Sequence, residues 1–321
     1  MQIVSEKAVK AAVSRADAFT AVESVFAAMA TGQAWNFPVV REAIGHADAL
    51  YGFKSGFDRD HMALGVKSGG YWPGNAARGL TNHQSTVLLF DPDTGQPRAL
   101  VGGNYLTAVR TAAASAVSIQ HLARPDAKTL GIVGAGHQAP FQLRAAVEQR
   151  PIERVVAWNR SPERLESLRE AAQAMGLPFE AVDRDTLCEQ ADVIITITSC
   201  FEPLLTREQI RPGTHIACMG TDTAGKQEID PAILASAEVF TDDPTQAATI
   251  GECQHAVAQG HIHRDAIRPV GGVIGEPGSF RRSAEAITVF DGTGVGLQDL
   301  AVARVALERA VEAGTAVRID L

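Results

Sequence analysis

Residues Thr129 to Ala139 read TLGIVGAGHQA, and no other stretch of the chain restricts its fold so tightly. A short apolar strand runs into Gly134-Ala135-Gly136-His137-Gln138-Ala139, a GxGxxA pattern, and a helix-forming run from Pro140 to Glu148 follows. In such a turn Gly134 permits the tight reversal and Gly136 lets the backbone approach a pyrophosphate. Ala139 lets helix and strand pack, and the helix N-terminus offers N–H donors and the positive end of its dipole. A strand before the loop and a helix after it favour a dinucleotide site over an ordinary glycine-rich βα turn.

The surrounding pattern agrees. Strands are expected at 129–133, 154–158 and 178–182, with helices at 138–148 and 162–175 between them. Further strands are expected within the apolar run Asp192 to Thr198 and near 214–218, 238–241 and 287–290. Strands alternating with helices imply a parallel sheet covered on both faces. The chain before this region reads differently. Ser14 to Ala30 is an amphipathic helix with Ser14 as N-cap and Asp17 three residues on. Ala63 to Val101 carries strands, including a hairpin that turns at Asp93-Thr94-Gly95. Thr107 to Leu122 is an alanine-rich helix that Arg124-Pro125-Asp126 breaks, and that break is expected to link two domains. The last helix, Gly296 to Ala313, is expected to return to the first domain.

A length of 321 residues suits two domains. The net charge of −8 argues against nucleic acid or an anionic membrane as partner. No apolar run approaches the ~20 residues of a membrane span, and the charged N-terminus lacks a signal-peptide core. Cys188, Cys200, Cys218 and Cys253 lie far apart with no CxxC pair, which suits free thiols in a reducing cytoplasm rather than a metal cluster or a disulfide framework.

The choice of dinucleotide turns on the second strand. An Asp or Glu at its tip favours NAD, and a nearby Arg tolerates the extra phosphate of NADP. Here VVAW ends in Asn159-Arg160-Ser161 with Arg164 one turn later. The missing carboxylate leans toward NADP or toward use of both, unless Arg160 and Arg164 are simply solvated helix-start residues. Upstream, Arg41 follows the mostly apolar WNFPVV, Lys67 sits inside the predicted strand ALGVKSGG, and Arg110 is the one charge in TAVRTAAASA. Three cations in apolar or small-residue settings suggest capture of a carboxylate, for which arginine is the natural fork. Asp222 follows the strand of HIACMGTDTAGKQEID, at the sheet edge where ligands of parallel sheets bind, and is a candidate acid or base.

These segments together resemble the ornithine cyclodeaminase/μ-crystallin family, which also contains alanine dehydrogenases and ketimine reductases. The resemblance runs through VKSGG, LLFDPDTGQPRALV, YLTAVRTAAASA, GIVGAGHQA, ADVIITITS, GTHIACMGTDTAGKQEID and ITVFDGTGVGLQDL, nearly the whole chain. It implies an α/β fold with two domains. Residues 1–123 with 297–321 would form an α+β substrate-binding and dimerisation domain, and 124–296 a Rossmann NAD(P)-binding domain. Carried over by position, Arg41, Lys67 and Arg110 would hold the substrate carboxylate, and Asp222 would transfer the proton. Thr111 and the loop through Gly134, Gly136, His137 and Gln138, with Asn159 and Arg160, would contact the cofactor. Lys67, desolvated beside two arginines, is expected to have a lowered pKa and so to move protons as well.

One departure bears on the substrate. Cyclodeaminases of this family need an acidic group for a distal ammonium, but the segment after Arg41 reads HADALYGFKSGF, with Asp48 and then Lys54. The segment after Lys67 adds Arg78, His83 and Gln84. If these line the pocket, a second carboxylate suits it better than an ammonium. The expectation is therefore an NAD(P)H-dependent reductase of a small 2-imino acid, with iminosuccinate to aspartate as the best-fitting reaction, acting as a homodimer. A cyclodeaminase with catalytic NAD and a nicotinamide-dependent binding protein of the μ-crystallin type remain the alternatives.

Overall fold

The computed structural model describes residues 1–275, 280 and 283–320. The chain forms two compact units, Met1–Arg110 with Val295–Leu321, and Thr111–Gly294. The first division falls inside the continuous helix Asn104–Leu122, rather than at the break expected after residue 123. No proline or glycine marks the point, so a punctuation-based reading places the boundary at the end of the helix. Residues 276–279, 281, 282 and 321, which the expected domain ranges include, lie outside the described residues.

The first unit is built on an eight-stranded sheet. Its order is Val317–Arg318, Gln2–Val4, Pro97–Gly102, His83–Phe90, Ala63–Tyr71, Leu50–Asp58 and Ala34–Asn36, with Val40–Ala43 also pairing Leu50–Asp58. The helices Arg15–Ala30 and Gly296–Glu312 pack together, and the second of them lies on the long strands. The start of Arg15–Ala30 is fixed by the expected capping box: Ser14 Oγ accepts from the Asp17 N–H, and Asp17 Oδ2 accepts from the Ser14 N–H, both at 3.1 Å. Gly56 and Gly65 let the last helix come close, since a Cβ there would lie 3.0 and 2.9 Å from the Leu297 and Leu300 side chains. The opposite face of the sheet presents Trp35, Val40, Tyr51 and Phe53 to solvent.

The second unit is an eight-stranded sheet in which every pairing is parallel. Its order is Phe179–Ala181, Arg154–Trp158, Thr129–Val133, Val193–Thr196, His215–Cys218, Thr288–Asp291, Glu238–Thr241 and Arg268–Pro269. This is the doubly wound Rossmann order with one late strand inserted before the sixth. The strand order reverses between Thr129–Val133 and Val193–Thr196, and ligands of such sheets bind beside the carboxyl ends at this point. Both strands are buried along their whole length, as a sheet with two covered faces requires. No described helix is long and apolar enough to cross a membrane. All four cysteines are free thiols.

Candidate active site

In the first unit the strand register brings the expected cations to one face. Arg41 pairs with Gly52, which pairs with Gly69 and through it with Ser85. Two residues along, Lys54 pairs with Lys67, which pairs with Val87. Two residues the other way, Tyr71 pairs with His83. Directly paired residues share a face, and successive same-face rows are about 7 Å apart. Gly52 and Gly69 therefore make a floor without side chains, bounded by the two lysines on one side and His83 on the other. A Cβ on Gly69 would lie 2.3 Å from the Gln84 carbonyl oxygen, so the floor cannot be filled without moving backbone.

The anchor of this basin is Asp299, which the sequence reading missed. Lys67 Nζ lies 2.6 Å from Asp299 Oδ2, Arg110 Nε donates to Asp299 Oδ1 at 2.9 Å, and Arg110 Nη1 donates to Gln298 Oε1 at 2.8 Å. Asp299 and Gln298 are wholly buried and the two cations nearly so. A signal for Asp299 existed. It stands on the same arc of its helix as Ala303, Ala306 and Ala310, all buried, where a carboxylate is costly unless paired. It also lies in the first turn, where the helix dipole favours an anion.

Burial pushes the Asp299 carboxyl up, but the charges of Arg110 and Lys67 outweigh it and hold the group below its ordinary value. For Lys67 burial is the larger effect, reinforced by Arg110 and only partly opposed by Asp299, and the ammonium is pushed down to about 7. His83 is pushed down to about 3 by burial and by the charges of Lys67 and Arg110, with Arg41 adding to them. It is therefore a neutral imidazole at neutral pH. Of the other polar residues near these strands, Arg78 is exposed on the short turn Ala76–Arg78 and Asp48 is exposed in a tight turn with φ of +50°. Gln84 stands on the opposite face of its strand, where its amide nitrogen donates to the Thr81 carbonyl.

In the second unit the glycine loop has the form a pyrophosphate needs. Gly134 has a φ of +111°, and a Cβ there would lie 2.6 Å from the Ile197 carbonyl oxygen. Gly136 has only open space where its Cβ would be, and Ala139 is fully buried against the strand. The helix Ala139–Ala146 carries no side-chain cap, and Gln138 at its start has a buried Oε1 with no hydrogen-bond partner in the structure. An open approach to the glycine loop and an uncapped helix start with free N–H donors together fit the pyrophosphate of a dinucleotide. His137 is exposed in the loop and Thr111 is buried on the helix Asn104–Leu122. The Asn159 amide is engaged at both ends: Oδ1 accepts from the Ala135 N–H at 3.2 Å, and Nδ2 donates to the Ser161 carbonyl at 2.8 Å. It braces the glycine loop against the second strand. Arg160 is exposed at the strand tip.

Asp222 follows the strand His215–Cys218 at the carboxyl edge of the same sheet. Its Oδ1 accepts from Lys226 Nζ at 2.8 Å and from the Thr223 hydroxyl at 3.1 Å. Beneath it lies a second group that the sequence reading left out. The buried Glu228 accepts from Thr196 Oγ1 at 2.7 Å, the Thr198 N–H at 2.6 Å, Thr198 Oγ1 at 2.8 Å and the Gly220 N–H at 2.9 Å. It thereby ties the ends of two neighbouring strands. The buried Glu252 in turn accepts from the Glu228 and Ile229 N–H groups and the Thr221 hydroxyl. Burial raises both carboxyls, and the charge of Glu228 raises Glu252 further. Burial also raises Asp291, to about 7.

A Rossmann sheet with the geometry of a phosphate loop, in a chain that also carries a cationic basin on the antiparallel strands of a mixed sheet, fits the class of dinucleotide-binding proteins that act on small anions. Comparison with known proteins places it more narrowly. The ornithine cyclodeaminase/mu-crystallin family model matches residues 1–314, and the chain belongs to that family. It is 56% identical over 321 residues, the full length of both chains, to the iminosuccinate reductase of Paracoccus denitrificans. The crystal structure of that enzyme in complex with NAD+ superposes with a TM-score of 0.96, covering 100% of this chain and 99% of the other. The Thermococcus litoralis Δ1-pyrroline-2-carboxylate reductase, in complex with NADH and L-proline, is 28% identical with a TM-score of 0.94 and covers 99% and 100%. An archaeal alanine dehydrogenase dimer with bound NAD is 31% identical with a TM-score of 0.93 and covers 100% and 99%.

Proposed function

We propose that this protein is an NAD(H)-dependent reductase of small 2-imino acids, with iminosuccinate as its substrate and L-aspartate as its product. The observation that carries this reading is the basin around Asp299. Lys67, His83 and Asp299 all feel the charge of Arg110, with Lys54 and Arg41 adding to it, so the basin is a cluster of cations around the Asp299 carboxylate. Cations gathered around a floor without side chains attract an anionic ligand, and a diamino acid would bring a further positive charge to them. This counts against a cyclodeaminase.

The roles follow from the chemistry of each group. Arg110, fixed by Asp299 and Gln298, presents its guanidinium in one orientation, and Lys67 and Arg41 add charge from the neighbouring strands. Together they hold the α-carboxylate, so that the reacting carbon is positioned before reaction, which is worth several kcal/mol. When bound, NADH supplies the hydride to the imine carbon. Lys67, poised at about 7, can hold or release a proton at neutral pH. The Asp222 carboxylate, oriented by Lys226, accepts a hydrogen bond from the N–H of the protonated imine and so orients it, the proton staying on nitrogen as the hydride adds to carbon. Gly134, Gly136 and Gln138 hold the pyrophosphate, with His137 and Thr111 as further contacts, and Asn159 keeps the loop in shape. Arg160 leaves room for NADPH beside NADH. The outer sheet face with Trp35, Val40, Tyr51 and Phe53 is assigned to a homodimer contact, and the four free thiols suit the cytoplasm.

The test is NADH and NADPH oxidation, followed at 340 nm, with ammonia and a panel of oxaloacetate, pyruvate, glyoxylate and a cyclic imine. Aspartate formed from oxaloacetate and ammonia is the expected product. Release of ammonia from ornithine without net cofactor oxidation would replace this reading with the cyclodeaminase one.

A further inference from the structure

Asp222 lies between the strand His215–Cys218 and the short strand Gln227–Ile229. A segment later in the chain, residues 252–254 at the start of the helix Cys253–Ala258, grips this stretch on both sides of Asp222. Before it, the Thr221 hydroxyl donates to Glu252 Oε2 at 2.5 Å. Glu252 Oε1 accepts the N–H groups of Glu228 and Ile229 at 2.9 and 2.8 Å, which fixes the far end of the stretch. After Asp222, Gln254 Oε1 accepts the Gly225 N–H at 2.7 Å, and Gln254 Nε2 donates to the Lys226 carbonyl at 3.2 Å. Lys226 is the residue whose ammonium pairs with Asp222. Thr221 and Glu252 are buried, whereas the Asp222 side chain is 34% exposed. A loop with glycine at 220 and 225 has much backbone freedom to lose. A buried carboxylate that accepts both a hydroxyl and backbone N–H groups can hold it in one arrangement.

We infer that Thr221, Glu252 and Gln254 are positioning residues for the reaction: they clamp the loop before and after Asp222, so that its carboxylate is presented to the imine N–H in one orientation. This rests on the reading that Asp222 faces the imine. The two halves of the clamp act on different atoms. Glu252, through the Thr221 hydroxyl, fixes the backbone next to Asp222. Gln254 fixes the backbone of Lys226, and with it the ammonium that orients the carboxylate. Glu228 holds the same loop at Gly220, so the clamp and Glu228 bind successive residues of it.

The test is a double-mutant cycle on the full chain. Thr221→Val, Thr221→Ser and Gln254→Ala are made in wild type, and the first and last also in Asp222→Asn. Turnover is followed with NADH, ammonia and oxaloacetate. Thr221→Val keeps the side-chain shape and removes the hydroxyl, and Thr221→Ser puts a hydroxyl back. Thr221→Val and Gln254→Ala are each expected to lower kcat by about 10- to 100-fold, the cost of a small misplacement at a reacting group. NADH affinity is expected to stay unchanged and Thr221→Ser to keep most of kcat. In Asp222→Asn neither substitution is expected to lower kcat further, because a positioning residue acts only through the group it positions. A full further loss in Asp222→Asn, or an unchanged kcat in both single variants, overturns the inference. If Asp222→Asn itself left kcat unchanged, the reading of Asp222 would fail instead. Amide hydrogen exchange at residues 221–226 would then still decide the clamp. Faster exchange there in Thr221→Val and Gln254→Ala, at an unchanged melting temperature, supports it, and exchange equal to wild type overturns it.

Discussion

Glu228 Oε1 accepts the backbone N–H of Thr198 at 2.6 Å, and Oε2 of the same carboxylate accepts the N–H of Gly220 at 2.9 Å. One buried side chain thus sets the spacing of the two loops that follow adjacent Rossmann strands, and the second of those loops carries Asp222. Gly220 is glycine because a Cβ there would lie 2.5 Å from Glu228 Oε1 and 2.2 Å from the Thr198 carbonyl oxygen. Glu228→Ala removes the acceptor of two half-buried N–H groups and of the Thr196 and Thr198 hydroxyls, of which the buried Thr196 hydroxyl alone costs about 1–3 kcal/mol. It is expected to lower the melting temperature markedly. Glu228→Gln keeps an acceptor and is expected to fold with reduced kcat but a nearly unchanged NADH affinity, which separates positioning of Asp222 from loss of the cofactor site.

Asp299→Asn removes the carboxylate that Lys67 and Arg110 share while both cations stay buried. Breaking a buried ion pair by removing one partner costs about 3–5 kcal/mol. The variant is expected to be less stable by an amount of that order, and added succinate is expected to recover part of the loss by supplying negative charge. Denaturant melts with and without succinate check this. Equal melts with and without it would remove the basin from anion binding.

Lys67 is pushed down to about 7, so its charged form dominates below that pH and fades above it. In the proposed roles, both α-carboxylate binding and proton supply need the ammonium. Log kcat/KM for reduction is therefore expected to be level on the acid side of this value and to fall above it. Lys67→Met is expected to lose both the activity and this limb of the profile. A profile that stayed level to pH 9 would show that Lys67 does not titrate in the free enzyme.

Asp291 has its folded value raised to about 7 by burial, against an ordinary 3.8. The folded state thus binds a proton that the unfolded chain releases across this interval. The stability it contributes is complete below the ordinary carboxylate range and is lost as pH rises through about 7. The melting temperature is expected to decline by several degrees between pH 5.5 and 8, and Asp291→Asn is expected to flatten that decline. A melting temperature that rose through this range in wild type and variant alike would contradict the assignment.

Gly134→Ala forces a side chain into a backbone conformation with φ of +111° and against the Ile197 carbonyl oxygen. NADH affinity, read by fluorescence titration, is expected to fall at least tenfold, with NADPH falling in parallel. Arg160→Ala is expected to weaken NADPH more than NADH if the exposed guanidinium reads the extra phosphate.

What the sequence determined by itself was whatever local pattern encodes. The glycine loop, the alternating strands and helices of the Rossmann unit and the capping box at Ser14 depend on residues close together in the chain, and each was legible from it. The cations Arg41, Lys67 and Arg110 were legible because a charge in an apolar or small-residue run needs a reason. The strand Leu50–Asp58 was not legible, because Gly52, Lys54 and Gly56 interrupt its apolar alternation. Those same three residues form the basin floor, its second lysine and the seat of Leu297. Only the tertiary structure decided that Asp299, 232 positions from Lys67 in the numbering, is the counter-ion of the site. It alone decided that His83 faces the basin while Gln84 faces away, and that Glu228 governs the Asp222 loop. The physical reason is common to these cases. A buried charge is tolerated only by its partner, and which partner it meets depends on sheet register and helix docking, which no local pattern in the chain specifies.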